Sequence, residues 1–373
     1  MKVCIVFPVF PPSIDGIGDY TSRIAEALGT QAEVHVLTGP KPHATIAGVR
    51  VETTFDQDPR LSGEMLVAAV DRIQPDWVLV QYNPFSYGKW GYNPHLPRSI
   101  RQIAEAPGRK VALMIHEPYV PPENLRFHVM RLWQLRQFNS LINSAALVFF
   151  SISAWTEEFR LKYPDKRIVH LPIGSNIPLV PGNRSHVRST YGISDDTILL
   201  GLFGSGHPNR LFNYIHASIK QLRDDGVEAP LLYVGGSAEK LQAAMAGATF
   251  IDGGKLPADD VSRHLSAMDI YLCPFGKGVS SRRGSFMAGI QHGLPCVTTT
   301  GSQTDSFFKN YDGEAFIASP DSSIEDFCQN VRRVIEDVTL RHRLAEGGRR
   351  LYTERFKWET IATRAMNAMA GQE

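Results

Sequence analysis

Short apolar runs alternate with segments of helical spacing along nearly the whole chain. The β-branched run Lys2–Val9 comes first and is followed by a loop at Pro11–Gly18. Tyr20–Leu28 then places Ile24, Ala27 and Leu28 on one helical face. Strands are predicted over Glu33–Leu37, Val49–Thr53, Asp76–Tyr82, Lys110–Ile115, Ala146–Phe150 and Arg167–Leu171. Helices are predicted over Gly63–Ile73, up to Ala104, over Asn124–Ser144 and over Thr156–Tyr163. The strand runs are almost unbroken by polar residues, as strands covered on both faces require. Alternating units of this kind argue for a doubly wound parallel sheet.

Pro178–His186 is the segment most suited to a linker by its Pro and Gly content. After it the pattern restarts with strands at Thr197–Phe203, Pro230–Val234, Thr249–Ile251 and Ile270–Leu272. Helical spacing returns at Leu211–Arg223, Ala238–Ala246, Ala258–Met268, Ser323–Val338, Leu340–Phe356 and Trp358–Met369. The expected organisation is a Rossmann-like domain at 1–180 and a second at 181–356. A C-terminal helix at 357–373 would pack back on the first. Two such α/β domains would face each other across a cleft between their carboxyl-end loops, where pockets concentrate.

Composition narrows this little. With 373 residues, 43% of them hydrophobic, and net charge +1, the chain has no overall field for nucleic acid or an anionic membrane, though a local basic patch stays open. No apolar run reaches the roughly 18–20 residues of a membrane span, so no transmembrane segment is expected. Pro8, Pro11 and Pro12 break the first apolar run, which reads as a strand and not as a leader. The four cysteines, Cys4, Cys273, Cys296 and Cys328, show no metal-ligand spacing. They read as buried thiols of a reducing compartment, which points to the cytoplasm.

Candidate chemistry concentrates between Tyr271 and Thr300. A strand ends at Cys273-Pro274, a loop runs from Gly276 to Ser281, and Arg282-Arg283-Gly284 leads into a helix from Ser285. That places the loop at the carboxyl end of a strand, where open parallel sheets bind ligands. Unpaired N–H groups at a helix start, flanked by guanidinium groups, favour a phosphate or diphosphate. Arg282 and Arg283 would hold it, with Gly284 and Ser285 completing the cradle. The plain alternative, a solvated pair of cations, opposes the helix dipole. Arg210, after Gly204-Ser205-Gly206, would meet the same anion; Lys277 and His207 are weaker candidates in turns of their own. In the first half, Gly16 and Gly18 suit close approach of backbone to an anion. His116 and Glu117 end a buried strand. Tyr82 opens an aromatic stretch with Phe85, Tyr87, Trp90 and Tyr92; it suits stacking on a sugar, although a packed loop is the commoner use.

These landmarks, in this order, resemble the GT-B glycosyltransferases and within them the retaining family 4 type. The resemblance runs nearly end to end. It rests on the small-residue loop Pro11–Gly18, His116 after a middle strand, Leu171-Pro172-Ile173-Gly174 and Leu202-Phe203-Gly204. Most specific are Met268–Pro274, His292-Gly293-Leu294-Pro295-Cys296-Val297 and Arg355-Phe356-Lys357-Trp358. The resemblance implies a nucleotide-diphospho sugar donor held by the second domain. The acceptor, a saccharide, a lipid-linked group or a small molecule, would be held by the first. It also implies that His116 touches the transferred sugar, and that transfer proceeds with retention and without a protein nucleophile. No Asp-x-Asp lies at a strand end, so neither a metal nor another cofactor is implied. One departure stands out. The family's Glu-x7-Glu pair falls on Ser280 and Ala288, which leaves the ribose contact to Ser280, Ser281 or a backbone group. A non-catalytic nucleotide-sugar-binding subunit and a GT-B sugar-nucleotide epimerase therefore stay open. A dehydrogenase does not, because Gly16-Ile17-Gly18 lacks the third glycine of a dinucleotide fingerprint.

Overall fold

The computed structural model describes residues 1–40, 43–206, 209–236, 238–244 and 249–372; His207 lies outside them. Two all-parallel sheets organise the chain. The first contains β1 (Lys2–Val6), β2 (Glu33–Thr38), β3 (Val49–Thr53), β4 (Trp77–Tyr82), β5 (Lys110–Ile115), β6 (Leu147–Phe150) and β7 (Ile168–His170). Its order is β3-β2-β1-β4-β5-β6-β7. The second contains β8 (Leu200–Phe203), β9 (Leu231–Val234), β10 (Phe250–Asp252), β11 (Ile270–Cys273), β12 (Cys296–Thr300) and β13 (Ile317–Pro320), in the order β10-β9-β8-β11-β12-β13. Each sheet starts at an inner strand, winds one way, then returns to wind the other. The switch points therefore lie between β1 and β4 and between β8 and β11. The carboxyl ends of those strands are where such a sheet leaves a crevice.

Both sheets are covered on both faces, which is why the strands carry so few polar side chains. Every residue of β4 is buried, as is every residue of β11. Burying one Leu, Val or Phe side chain is worth roughly 1.5–3 kcal/mol, so these runs have no stable exposed alternative. All four cysteines are buried and unpaired.

The chain divides into two compact units, one made of Met1–Pro172 with Trp358–Glu373 and the other of Ile173–Lys357. The helix Trp358–Ala370 thus belongs to the first unit. The Trp358 ring meets the edge of Tyr20 at 5.2 Å. Arg167 Nη1 donates to the Ala368 carbonyl.

The division falls at 172/173, not at the expected 180/181. The Pro-rich segment after Ile173 is no free linker. The Val180 N–H donates to Ser262 Oγ at 3.2 Å. A helix at Arg184–Thr190 follows, capped by Asn183, whose side chain accepts from the His186 N–H. Arg184 and Arg188 of this helix both pair with Asp269, at 2.6 and 3.1 Å. Proline content marked a bend in the chain, and long-range ion pairs decided which unit owns it.

Two further elements differ from expectation. The first helix begins at Gly16, four residues before Tyr20, because Asp15 caps it. β13 reads too short and too polar in sequence to stand out, yet it pairs in register with β12.

Candidate functional site

In the second unit the switch point between β8 and β11 is occupied by a cationic cluster. β8 ends in Phe203-Gly204, and the loop after it returns along the exit of β11. The Gly276 N–H donates to Asn209 O at 2.7 Å, and the Leu211 N–H to Pro274 O at 3.3 Å. Between these bonds Arg210 forms a bridge opposite Phe275. The main chain therefore fixes Arg210 against the strand end, and its side chain folds inward.

Arg210 is only 7% exposed. Its Nη2 donates to Phe203 O at 2.6 Å and to Ser285 Oγ at 2.7 Å, while Nη1 is buried without a partner. No carboxylate pairs with it among the described residues. Its guanidinium carbon lies 4.9 Å from the Phe275 ring centre, and that of Arg283 lies 4.7 Å from the same centre. Gly204 makes this possible. Its φ is +120°, and a Cβ there would stand 2.9 Å from Arg210 Nη2. Ser285 lies in the first turn of the helix Gly284–Gln291, whose N-cap residue Arg283 makes no side-chain cap bond. The first N–H groups of that helix keep their usual lack of intrahelical partners.

Burying a cation without a counter-charge costs several kcal/mol. A second guanidinium on the same ring adds repulsion. An anion held between them, with helix-start N–H groups behind it, would offset both. The arrangement is therefore suited to a phosphate or diphosphate.

The structure brings together Arg210, Arg283, Gly284 and Ser285, as the spacing suggested. Arg282 is half-buried beside them. Lys277 is exposed and sits at φ +70°, with its N–H donating to Asp321 Oδ2 at 2.9 Å. Ser281 is a correction. It is fully buried, its N–H donates to the buried Asp305 carboxylate, and its carbonyl accepts from the Ile173 N–H at 3.0 Å. It anchors the loop from behind and does not offer itself to a ligand. Phe275 and Asp305 escaped notice in the sequence because a Phe and an Asp carry no signal until their neighbours are known.

In the first unit His116 leaves β5 half-buried, with Glu117 half-buried after it. Gln81 Oε1 accepts from His116 Nε2 at 2.8 Å. Tyr20 meets the His116 ring edge-on at 4.9 Å. Gln81 Nε2 and the Tyr20 hydroxyl are buried without partners. Burial pushes the Tyr20 phenol far above its ordinary pKa, so it remains a neutral donor. Gln81 is the residue that sequence inspection missed, since a lone Gln ending an apolar run has no distinctive spacing.

One expectation fails here. Tyr82 points into the core, where its ring packs on Tyr87 at 6.4 Å and on Phe138 at 6.0 Å. Strand alternation sends Gln81 and Tyr82 to opposite faces, and Gln81 takes the polar one. Gly16, exposed, and Gly18, buried, lie in the first turn of the helix Gly16–Gly29. The Ile17 and Gly18 N–H groups both donate to Asp15 Oδ1, at 2.9 and 2.8 Å. Gly18 lacks a side chain for an internal reason: a Cβ would stand 3.0 Å from the Val9 carbonyl.

The two parallel-sheet α/β domains define the GT-B glycosyltransferase fold. Their solved neighbours share it over the full chain. Sucrose-phosphate synthase from Thermosynechococcus elongatus is 14% identical, with a TM-score of 0.75 over 99% of this chain and 98% of that one. A glycosyltransferase from Rickettsia africae is 10% identical, also at 0.75 over 99% and 98%. HepE from Anabaena, solved in complex with UDP and glucose, is 15% identical with a TM-score of 0.70 over 100% of both chains. Residues 197–337 match the family model described as Glycosyl transferases group 1. No curated protein matches the chain in sequence.

Proposed function

We propose that this protein is a glycosyltransferase that moves a sugar from a nucleotide-diphospho sugar to an acceptor hydroxyl. The observation that carries this reading is Arg210: a buried guanidinium at a switch point, without a carboxylate partner among the described residues, sharing a ring with Arg283 beside a helix start. Glycosyl transfer from such a donor expels a diphosphate, whose charge grows as the glycosidic bond breaks. Fixed cations and N–H groups aimed at that charge would lower the barrier. Support also comes from the matched family domain and from HepE, solved with UDP-glucose.

In this reading the second unit takes the donor, with Gly284 and Ser285 N–H groups and Arg282 assisting. The first unit takes the acceptor, with His116 touching the transferred sugar and Gln81 orienting the imidazole. Retention of anomeric configuration and metal independence belong to the same proposal, carried by the family resemblance. Calorimetric titration with UDP, GDP, ADP and dTDP, each with and without Mg²⁺, tests the donor side. Metal-independent binding of one of them is the expected result; absence of binding to all four would refute it. Product NMR would read the anomeric outcome.

A second reading is favoured by one observation. Ser280 and Ala288, which replace the family's two carboxylates, are both fully buried. A chain that binds the donor but cannot turn it over would show the same phosphate cradle, and an acceptor screen with the bound nucleotide sugar separates the two.

Three variants probe the assignments. Arg282→Ala and Arg283→Ala are each expected to weaken nucleoside-diphosphate binding by roughly tenfold, about the worth of one charged hydrogen bond, while nucleoside binding barely changes. Equal losses for both ligands would remove the phosphate role. His116→Ala is expected to lower turnover by roughly 100-fold, the usual scale for a positioned proton donor or acceptor, with nucleotide affinity within a few fold of the parent. A collapse of nucleotide affinity instead would place His116 elsewhere.

A further inference from the structure

The helix Trp358–Ala370 belongs to the first unit although the chain reaches it from the second. Its buried side chains Ile361, Ala362, Ala365, Ala368 and Met369 dock it there. Polar contacts tie it down as well. Arg364 Nη2 donates to His170 O and Gln31 Nε2 to Thr363 Oγ1, both at 3.3 Å, beside the bond from Arg167 to Ala368 O. These contacts hold the helix without calling on Trp358, its first residue, whose indole is half-buried.

Trp358 meets Tyr20 instead, with ring centres 5.2 Å apart and planes at 70°. Tyr20 in turn meets His116, at 4.9 Å and 79°. Edge-on aromatic pairs favour one mutual angle, because the positive rim of one ring seeks the negative face of the other. Tyr20 is 2% exposed, and its hydroxyl is buried without a hydrogen-bond partner. No polar anchor therefore sets the tilt of this ring. The rings beside it do.

His116 is held twice more. Its N–H donates to Tyr82 O at 2.9 Å, which fixes the main chain. Its Nε2 is bound by Gln81 Oε1 at 2.8 Å, and Gln81 is fully buried. What stays adjustable is the tilt of the imidazole about the Gln81 bond. Tyr20 limits that tilt, and Trp358 backs Tyr20.

We propose that Trp358 is a positioning residue: through Tyr20 it holds the imidazole of His116 at the tilt that meets the transferred sugar. This role rests on the reading that His116 touches that sugar. It gives the return of the C-terminal helix to the first unit a part in the chemistry. Misplacing a reacting group by about 1 Å can cost on the order of 100-fold in rate. A lever two rings away therefore acts on turnover, and it leaves the diphosphate contacts of Arg210 and Arg283 as they were.

The test compares Trp358→Leu, Trp358→Phe and Tyr20→Phe with the parent chain. In proton NMR of the ligand-free protein, the His116 imidazole signal is assigned by its loss in His116→Gln. That signal is expected to shift in Trp358→Leu and to return toward its parent position in Trp358→Phe, which keeps a ring edge. In assays with the nucleotide sugar whose nucleotide binds, Trp358→Leu should lower kcat by roughly 10–100-fold with donor KM within about threefold. Trp358→Phe should recover most of that loss. Tyr20→Phe should keep kcat within about threefold, since removing an unpaired hydroxyl strands no partner. Thermal melting checks that the variants fold. Trp358→Met, which fills space without an aromatic edge, repeats the comparison should Trp358→Leu melt well below the parent. An unmoved His116 signal, or parent-like kcat, in the variants without the indole overturns the proposal. So does a joint loss of kcat and donor affinity that Trp358→Phe does not rescue, since that would make Trp358 part of the frame. An inactive parent whose His116 signal still responds would refute the transferase reading and leave the ring contact standing.

Discussion

Replacing Arg210 by methionine is expected to remove the diphosphate contribution to ligand affinity while leaving the ligand-free chain about as stable as its parent. Two effects act in opposite directions. With the anion bound, Arg210 supplies a charged hydrogen bond worth roughly 1.5–3 kcal/mol, so nucleoside-diphosphate affinity should fall by about 10–150-fold. Without the anion, the buried guanidinium is a burden that methionine of similar length relieves. Little is stranded by its removal: Phe203 O keeps the Tyr271 hydroxyl at 3.2 Å, and Ser285 Oγ sits at a helix start. Calorimetric titration with UDP and with uridine, beside thermal melting of the free protein, reads both effects. Unfolding of the ligand-free variant by many degrees would mean that Arg210 serves the frame. Undiminished UDP affinity would mean that the cradle lies elsewhere.

Arg188→Ala is expected to have the largest effect on stability. This side chain is fully buried. Nη1 donates to Ala267 O at 2.9 Å and meets Asp269 Oδ2 at 3.1 Å; Nη2 donates to Ser194 O at 2.8 Å and to the Thr197 carbonyl. Asp269 in turn accepts from the Leu199 N–H at 2.8 Å, at the entry to β8. Removing one partner of a buried pair typically costs about 3–5 kcal/mol. For a unit of this size that corresponds to roughly 6–20 °C in melting temperature. The double change Arg188→Met/Asp269→Leu should regain part of the loss, because it strands no charge. A single-variant loss below about 1 kcal/mol would show that the pair is incidental.

The contrast between these two arginines shows how far sequence reading reaches. Arg210 was legible as a cation after a strand-end Gly-x-Gly. Arg188 sat unremarked beyond a presumed linker. The stretches that most resemble the glycosyltransferases also changed meaning. Asp269 of Met268–Pro274 holds Arg184 and Arg188. His292 of the His-Gly-Leu-Pro stretch is buried between Ser262 Oγ and the Ala288 carbonyl, each at 2.8 Å, and burial lowers its pKa. The parts of the motif most specific in sequence are thus frame. The proposed anion cradle would be built chiefly from an ordinary Arg and Phe beside them, Arg210 and Phe275.

What the amino-acid order determined by itself was the alternation of buried strands and helices, the presence of two α/β domains, and the gathering of Arg283, Gly284 and Ser285 at one helix start. Those are local properties: hydrophobic spacing and capping act over a turn or a strand length. Tertiary structure alone decided that Arg210 meets Ser285, 75 residues away. It also decided that Tyr82 turns to the core while Gln81 reaches His116, and that the units divide at Pro172. Each of these depends on which remote surfaces meet and exclude water, and no spacing along the chain encodes that directly.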